Sequence, residues 1–408
     1  MESRNHLGRA LEIAQMLPPS RVRDLREVNI RLERGFLATA ATGFTSTEAA
    51  AEFERCLQLV SEQPSAEMHA TFSALWGYFT ARGQLDRVET MIEALRQLEG
   101  GSEWTTASYN ATVGFFAMFH GQFDAAREAL EEAVAGIDRA GIPELEQRWY
   151  TPSDRISGLY AELGFVRFMQ GDLAGAEPAF ARIESRCETL AFPGNAVSLC
   201  YGRSREGTVR VEAGQLGPAV ELIEDVATRA EQLGLGEWMM VSASNRASLA
   251  ARAALATGET DRATLQPHIR NMTAVVDGWR AAELLAYLSS YECVLVRLHM
   301  AAGDLPKARE CTLRALELAE ETGIVTYKAE LLRLLAHTHT DPRSRHAGLC
   351  AAVELAHKQG AVVFEMRSAA DIFELIGAPG RPMLTNVLSR IPADQDWPEL
   401  ARARALLV

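Results

Sequence analysis

Charged residues crowd one short stretch of this 408-residue chain, Tyr201-Gly-Arg-Ser-Arg-Glu-Gly-Thr-Val-Arg-Val-Glu-Ala-Gly214. Arg203, Glu206 and Arg210 stand three and four residues apart, the spacing at which side chains meet on one face of a helix. In the helical-hairpin register described below, these three fall at positions normally apolar and buried, and a buried charge must be paired or bind something. In the same register Tyr201, Arg252 and Arg297 point to a concave surface, the two arginines at equivalent positions of successive repeats. Stacked guanidinium groups in a groove suit a carboxylate or a phosphate. Tyr201, Arg203, Glu206, Arg210, Arg252 and Arg297 are therefore the candidate ligand- or partner-binding residues. The competing reading is a salt-bridged, partly solvated helix face.

Other chemistry is thinly represented. Gly234-Leu235-Gly236 is half of a dinucleotide fingerprint without a third glycine or a preceding strand, and reads as a helix-terminating loop. His337, His339, Asp341 and His346 invite a metal, but histidines two apart on a helix point to different faces. A phosphate-binding loop needs a lysine after glycine, and none of Lys307, Lys328 and Lys358 follows one. No G-x-S-x-G, H-E-x-x-H or oriented Cys-His arrangement occurs. The six cysteines, Cys56, Cys187, Cys200, Cys293, Cys311 and Cys350, are scattered without C-x-x-C spacing and read as small apolar residues in a reducing cytoplasm. No catalytic residue, metal or cofactor is expected.

Composition narrows the partners. A net charge of −13 without any dense arginine run argues against nucleic acid. The longest uncharged stretch, Trp104 to Phe123, is interrupted by Thr105, Thr106, Ser108, Asn110, Thr112 and His120, too polar for a bilayer, and reads as a buried helix. Residues 1–17 carry Arg4, Arg9 and Glu12 and lack the apolar core of a secretory signal. With 48% hydrophobic and 23% charged residues the chain can bury a core.

One phrase recurs six times: a glycine, a polar residue, usually an apolar one, then Ala or Val five positions after the glycine. It reads GQLDRV from Gly83, GQFDAA from Gly121, GDLAGA from Gly171, GQLGPA from Gly214, GETDRA from Gly258 and GDLPKA from Gly303. The glycine supplies the left-handed backbone that ends one helix and turns the chain into the next. The small residue (Val88, Ala126, Ala176, Ala219, Ala263, Ala308) is expected to face the partner helix. Seven positions before the turn, Gly114, Gly164, Gly207 and Ala251 recur, and interior glycines at about 1 kcal/mol each relative to alanine imply a required close helix contact. Residues 43–60 look like a further second helix with Ser46 or Thr47 as its N-cap, and residues 341–361 like another. The expectation is an all-α tetratricopeptide-like solenoid of about eight degenerate hairpins over residues 1–376. Gly377, Pro379, Gly380 and Pro382 break the pattern, so residues 377–408 are read as capping helices around Leu384–Ser389 and Trp397–Leu407. Trp76, Trp104, Trp149, Trp238 and Trp279 are expected near the starts or middles of first helices, packed between repeats.

At larger scale, the segments Ala10–Phe44, Leu316–Ala336 and Ala352–Leu375, with the closing WPELARARALL, resemble the C-terminal helical-repeat region of bacterial signal-transduction ATPases. These include maltose-regulon-type activators and actinobacterial proteins with an adenylate or guanylate cyclase domain ahead of the ATPase. The resemblance implies a cytoplasmic sensor or interaction portion, because the ATPase and cyclase motifs themselves are missing. Its partner would be a protein or peptide segment, including an ATPase or cyclase domain, or a small anionic effector. The expected function is a non-catalytic regulatory module that binds on its concave surface and is coupled to an ATPase, cyclase or transcriptional output. A free-standing peptide-pheromone receptor or scaffold is the alternative, and a helical-array enzyme is the alternative from another class.

Overall fold

The architecture was taken from a computed structural model, which describes residues 2–43, 46–60, 66–96, 103–141 and 153–408. Among these there is no strand. Helix α1 (Glu2–Met16) precedes eight antiparallel hairpins. They are α2 (Arg21–Thr42) with α3 (Thr47–Val60), α4 (Ala66–Ala81) with α5 (Leu85–Arg96), α6 (Glu103–Phe119) with α7 (Phe123–Ala140), and α8 (Arg155–Met169) with α9 (Leu173–Glu188). Then follow α10 (Gly194–Glu212) with α11 (Leu216–Leu233), α12 (Gly236–Ala256) with α13 (Arg262–Ala281), α14 (Leu288–Ala301) with α15 (Leu305–Thr322), and α16 (Lys328–His337) with α17 (Pro342–Gln359). Helices α18 (Val362–Ile376), α19 (Arg381–Ser389) and α20 (Pro398–Ala405) complete the chain. The chain is an all-α tetratricopeptide-like solenoid in which the even-numbered helices α2 to α18 line the inside. No helix among the described residues is long and apolar enough to cross a membrane.

The recurring turn forms for the reason its composition suggests. All six turn glycines have positive φ, between 63° at Gly121 and 83° at Gly171, where a Cβ is strained. In five copies the second helix starts two residues later, and the small residue falls four after its N-cap: Val88, Ala126, Ala176, Ala219 and Ala308 are fully buried. The sixth departs from expectation. After Gly258 the turn is two residues longer, Asp261 caps the helix through Thr264 N–H at 2.9 Å, and Ala263 is exposed. Leu265, four after that cap, is buried in its place. The cap, not the glycine, fixes the register.

The interior glycines differ among themselves. A Cβ on Gly114 would come within 2.6 Å of Leu130, and one on Gly164 within 2.6 Å of Phe180, so both mark close crossings inside their hairpins. At Gly207 the nearest atom is 3.5 Å away, ordinary contact. Ser46 proves to be the cap of α3, accepting from Ala49 N–H.

The superhelix closes on itself after about five hairpins. Ala81, at the end of α4, accepts a hydrogen bond from Leu285 N–H at 2.6 Å, just before α14, beside the Arg82–Glu283 ion pair. One hairpin further along, Phe119 accepts from Val325 N–H at 2.8 Å, and Met118 accepts from Thr326 Oγ1 at 3.1 Å. In the next, Ala174 N–H donates to Gln395 Oε1 at 2.9 Å, and Trp397 packs edge-on against Phe168. The segment 377–408 thus lies against the fourth hairpin as well as on α18.

Candidate functional site

Helix α10 decides which residues reach the inside. Tyr201, Arg205, Thr208 and Glu212 recur at helical spacing on its inner face, whereas a Cβ on Gly202 would meet Ile183 of α9 at 2.7 Å. Arg203, Glu206 and Arg210 lie on the flank. Arg203 pairs with Glu184 of α9 at 2.8 Å and Asp225 of α11 at 2.6 Å, and Arg210 with Glu206 at 3.0 Å and Glu177 at 3.1 Å. Arg203 and Arg210 are half-buried clasps between α10 and its neighbours, with Glu206 bonded to Arg210 within α10, and the buried arginine of the stretch is Arg205.

Arg205 donates through Nε and Nη2 to Glu162 Oε2 of α8 at 2.9 and 2.7 Å. The other oxygen, Oε1, accepts from Tyr201 and from Tyr287 at 3.3 Å, while the two hydroxyls lie 2.9 Å apart. The guanidinium also stacks on Phe165, 3.6 Å from its centroid, and on Tyr287 at 4.9 Å. Burial and the adjacent Glu162 push the Tyr201 phenol well above its ordinary range, so it stays a donor. One buried ion pair, both of its oxygens satisfied, joins the fourth, fifth and seventh hairpins.

Above this floor opens a cavity of about 110 Å³ between α10, α12 and α14, rimmed by Ala81 from the preceding superhelical turn. Its walls are mainly carbon: Tyr201, Trp238, Val241, Trp279, Leu284, Tyr287 and Tyr291. Helical spacing puts Trp238, Val241 and Asn245 on one face of α12, and Tyr287, the N-cap of α14, stands beside Ser290 and Tyr291 of that helix. Trp279 belongs to the end of a second helix, α13, not to a first helix as expected. Its Nε1 donates to Ser244 Oγ at 2.9 Å, and Tyr291 OH donates to Asn245 Oδ1 at 2.7 Å. Ser204 Oγ, buried in the wall, has no hydrogen-bond partner. Two smaller cavities of about 10 and 20 Å³ adjoin, sharing Tyr287 and Ser290 on one side and Asn245 and Tyr291 on the other.

Two helical turns further along the same faces, about 10 Å, the interior becomes a ladder of charge. Arg297 pairs with Glu330, Arg333 with Glu330 at 2.8 Å and Asp371 at 2.6 Å, and Arg367 with Glu212 at 2.9 Å and Glu399 at 2.8 Å. His337 also reaches Asp371 at 2.6 Å. Arg252 donates to the Val211 carbonyl at 3.2 Å. Burial lowers its pKa to about 10, with Arg297 adding repulsion. Burial alone would raise the Glu212 carboxyl, but Arg367, Arg252 and Arg297 reverse that and hold it at about 2. The four guanidiniums, Arg252, Arg297, Arg333 and Arg367, are matched by four carboxylates, Glu212, Glu330, Asp371 and Glu399, so the ladder carries no net positive charge.

The structure therefore places Tyr201 in the cavity, Arg252 and Arg297 in the ladder, and Arg203, Glu206 and Arg210 outside both. Glu162, Asn245, Tyr287 and Tyr291 escaped sequence reasoning because their partners lie 39 to 125 residues away, and Ser204 because its hydroxyl has no partner at all. Only Gly202 offered a local clue, marking the face of α10 turned to α9. Trp149 lies outside the described residues; Trp76 and Trp104 lie in the first helices α4 and α6.

No family model matches the sequence. The uncharacterized protein R02095 of Rhizobium meliloti (strain 1021) is 22% identical over 383 residues, 92% of this chain but 36% of its own length. The chain thus spans about a third of that relative. Two solved structures share the fold. The Rap conjugation gene regulator of plasmid pLS20, in complex with a Phr peptide, superposes with a TM-score of 0.54 at 12% identity, covering 89% of this chain and 94% of that one. A Rap protein complexed with competence and sporulation factor gives the same TM-score and identity, over 90% and 98%.

Proposed function

We propose that this chain is a non-catalytic regulatory module whose inner face binds a peptide or an extended segment of another protein. The observation that carries this reading is the half-open, aromatic-walled cavity at the meeting of α10, α12 and α14, with Asn245 and Ser204 set among the rings. Such a site, largely apolar with a few placed polar groups, is the usual form of a recognition pocket, and a solenoid extends it into a groove. Two complexes on this fold, the Rap conjugation gene regulator with its Phr peptide and a Rap protein with competence and sporulation factor, lend support. The charge-balanced ladder favours a segment over the small anionic effector, because Arg252 and Arg297 already have Glu212 and Glu330 beside them. The finer reading, coupling to an ATPase, cyclase or transcriptional output, rests on the sequence resemblance and on the much greater length of the Rhizobium meliloti relative.

The test is selection from a random peptide library on the intact chain, in parallel with a Val241→Trp variant that fills the cavity. A consensus enriched by the wild-type chain and lost with the variant is expected. Enrichment that survives the filled cavity, or no consensus at all, would remove the inner face as a peptide-recognition surface.

A further inference from the structure

Nearly every polar group around the cavity already has a partner, and the exceptions define what is missing. Tyr201 and Tyr287 are committed to Glu162, Arg205 to the same carboxylate, and the Trp279 N–H to Ser244. Asn245 spends Oδ1 on Tyr291 OH, which fixes the amide and leaves Nδ2 as a donor on a residue of the cavity wall. Ser204, more than nine-tenths buried, has a hydroxyl with nothing to bond. The Arg205–Glu162 pair cancels its own charge, and the remaining charged group in the wall, Glu237, has an interaction of its own. A charged ligand of either sign would be desolvated here with no uncompensated counter-charge to receive it.

Size is equally restrictive. An engineered apolar cavity of about 150 Å³ holds benzene. At about 110 Å³ and open on one side, this one takes a single ring or a branched aliphatic group. The adjoining spaces of about 10 and 20 Å³ are water-sized.

We infer that the cavity is an anchor site for an electrically neutral group: one aromatic ring or branched aliphatic chain with a carbonyl oxygen next to it, held by the Asn245 amide and the Ser204 hydroxyl. A phenylalanyl or leucyl residue with its own peptide carbonyl has this chemistry, and so does a free aromatic amide. The inference rests on the inner face being a ligand surface.

Benzamide, benzoate, benzylamine and acetyl-phenylalanine N-methylamide are the probes, titrated into the intact chain and followed by calorimetry and saturation-transfer NMR. Benzamide and the capped residue are expected to bind saturably, and benzoate and benzylamine at least about tenfold more weakly, the cost of one mismatched buried group. Asn245→Asp, which replaces the donor with a carboxylate, is expected to weaken benzamide by a similar factor. Should that variant unfold, transferred NOEs from benzamide to the Trp238 and Trp279 indoles of the wild-type chain decide instead. A capped residue that outbinds benzamide points to a peptide source, and the reverse to a free small molecule. Equal binding of benzoate or benzylamine, no saturable binding of benzamide, or benzamide contacts remote from both indoles overturns the inference. Neutral selectivity without any library consensus would sink peptide recognition alone, and a consensus without neutral selectivity would sink the anchor alone.

Discussion

Glu162 has no exposed surface and carries four hydrogen bonds from three side chains. Removing one member of such a pair strands the other charge in a dry site, at a cost of about 3–5 kcal/mol. Glu162→Ala is accordingly expected to lower urea-unfolding stability by that amount, and Arg205→Met with Glu162→Leu together by much less; equal losses would mean the pair is not what matters. Glu212 supplies a pH signature. Its carboxyl is held at about 2 against an ordinary value of 4.5, so its stabilisation is fully present above about pH 5 and disappears as pH falls from there toward 2. The shift corresponds to roughly 3 kcal/mol. Glu212→Gln should flatten this part of the acid stability curve, and an unchanged curve would place the acid sensitivity elsewhere. At this scale the sequence was least legible. The candidate arginines 203 and 210 are as charged as Arg205, and only a third dimension distinguishes a clasp to α9 from a salt bridge to Glu162.

The hairpin is where local chemistry speaks most clearly, because turn glycine, cap and small residue lie within eight positions of one another. Even so, the six copies are not equivalent. The longer turn after Gly258 carries the packing residue from Ala263 to Leu265, a displacement that a count from the glycine cannot detect and a count from Asp261 does. The interior glycines divide in the same way. Gly164→Ala forces a methyl into the Phe180 ring, and overpacking of this kind costs about 1–3 kcal/mol. Gly207→Ala meets only ordinary contacts and gains helix propensity of about 0.5–1 kcal/mol. Thermal melts of the two variants should therefore move in opposite directions. A destabilised Gly207→Ala would show that the crossing of α10 and α11 is tighter than its 3.5 Å clearance.

An open array unfolds nearly as a sum of its neighbouring repeats. Here hydrogen bonds at Ala81, Phe119 and Ala174 tie hairpins that are about 200 residues apart, so the halves are expected to unfold together, with tryptophan fluorescence and circular dichroism tracing one urea transition. Thr326→Val with Gln395→Ala removes the neighbouring bond from Thr326 to Met118 and the one between Gln395 and Ala174, and should separate the traces. Traces already separate in the wild-type chain would mean that the ties carry no cooperativity. None of this was legible beforehand. The repeat pattern contains the shape of a unit but not the small rotation between units, and that rotation alone decides whether the fifth hairpin along comes back into contact.

The same closure limits how such a chain can change over generations. Ordinary repeat proteins gain or lose a unit by duplication or deletion because each unit knows only its neighbours. In this one, losing a single hairpin from the middle would bring Ala81 opposite Val325's loop rather than Leu285's, and would uncouple Glu162 from Tyr287 as well. Every later crossing would be mismatched at once. Copy number is thus expected to vary at the two ends of the array and to be frozen between them, with divergence proceeding by substitution inside a fixed count.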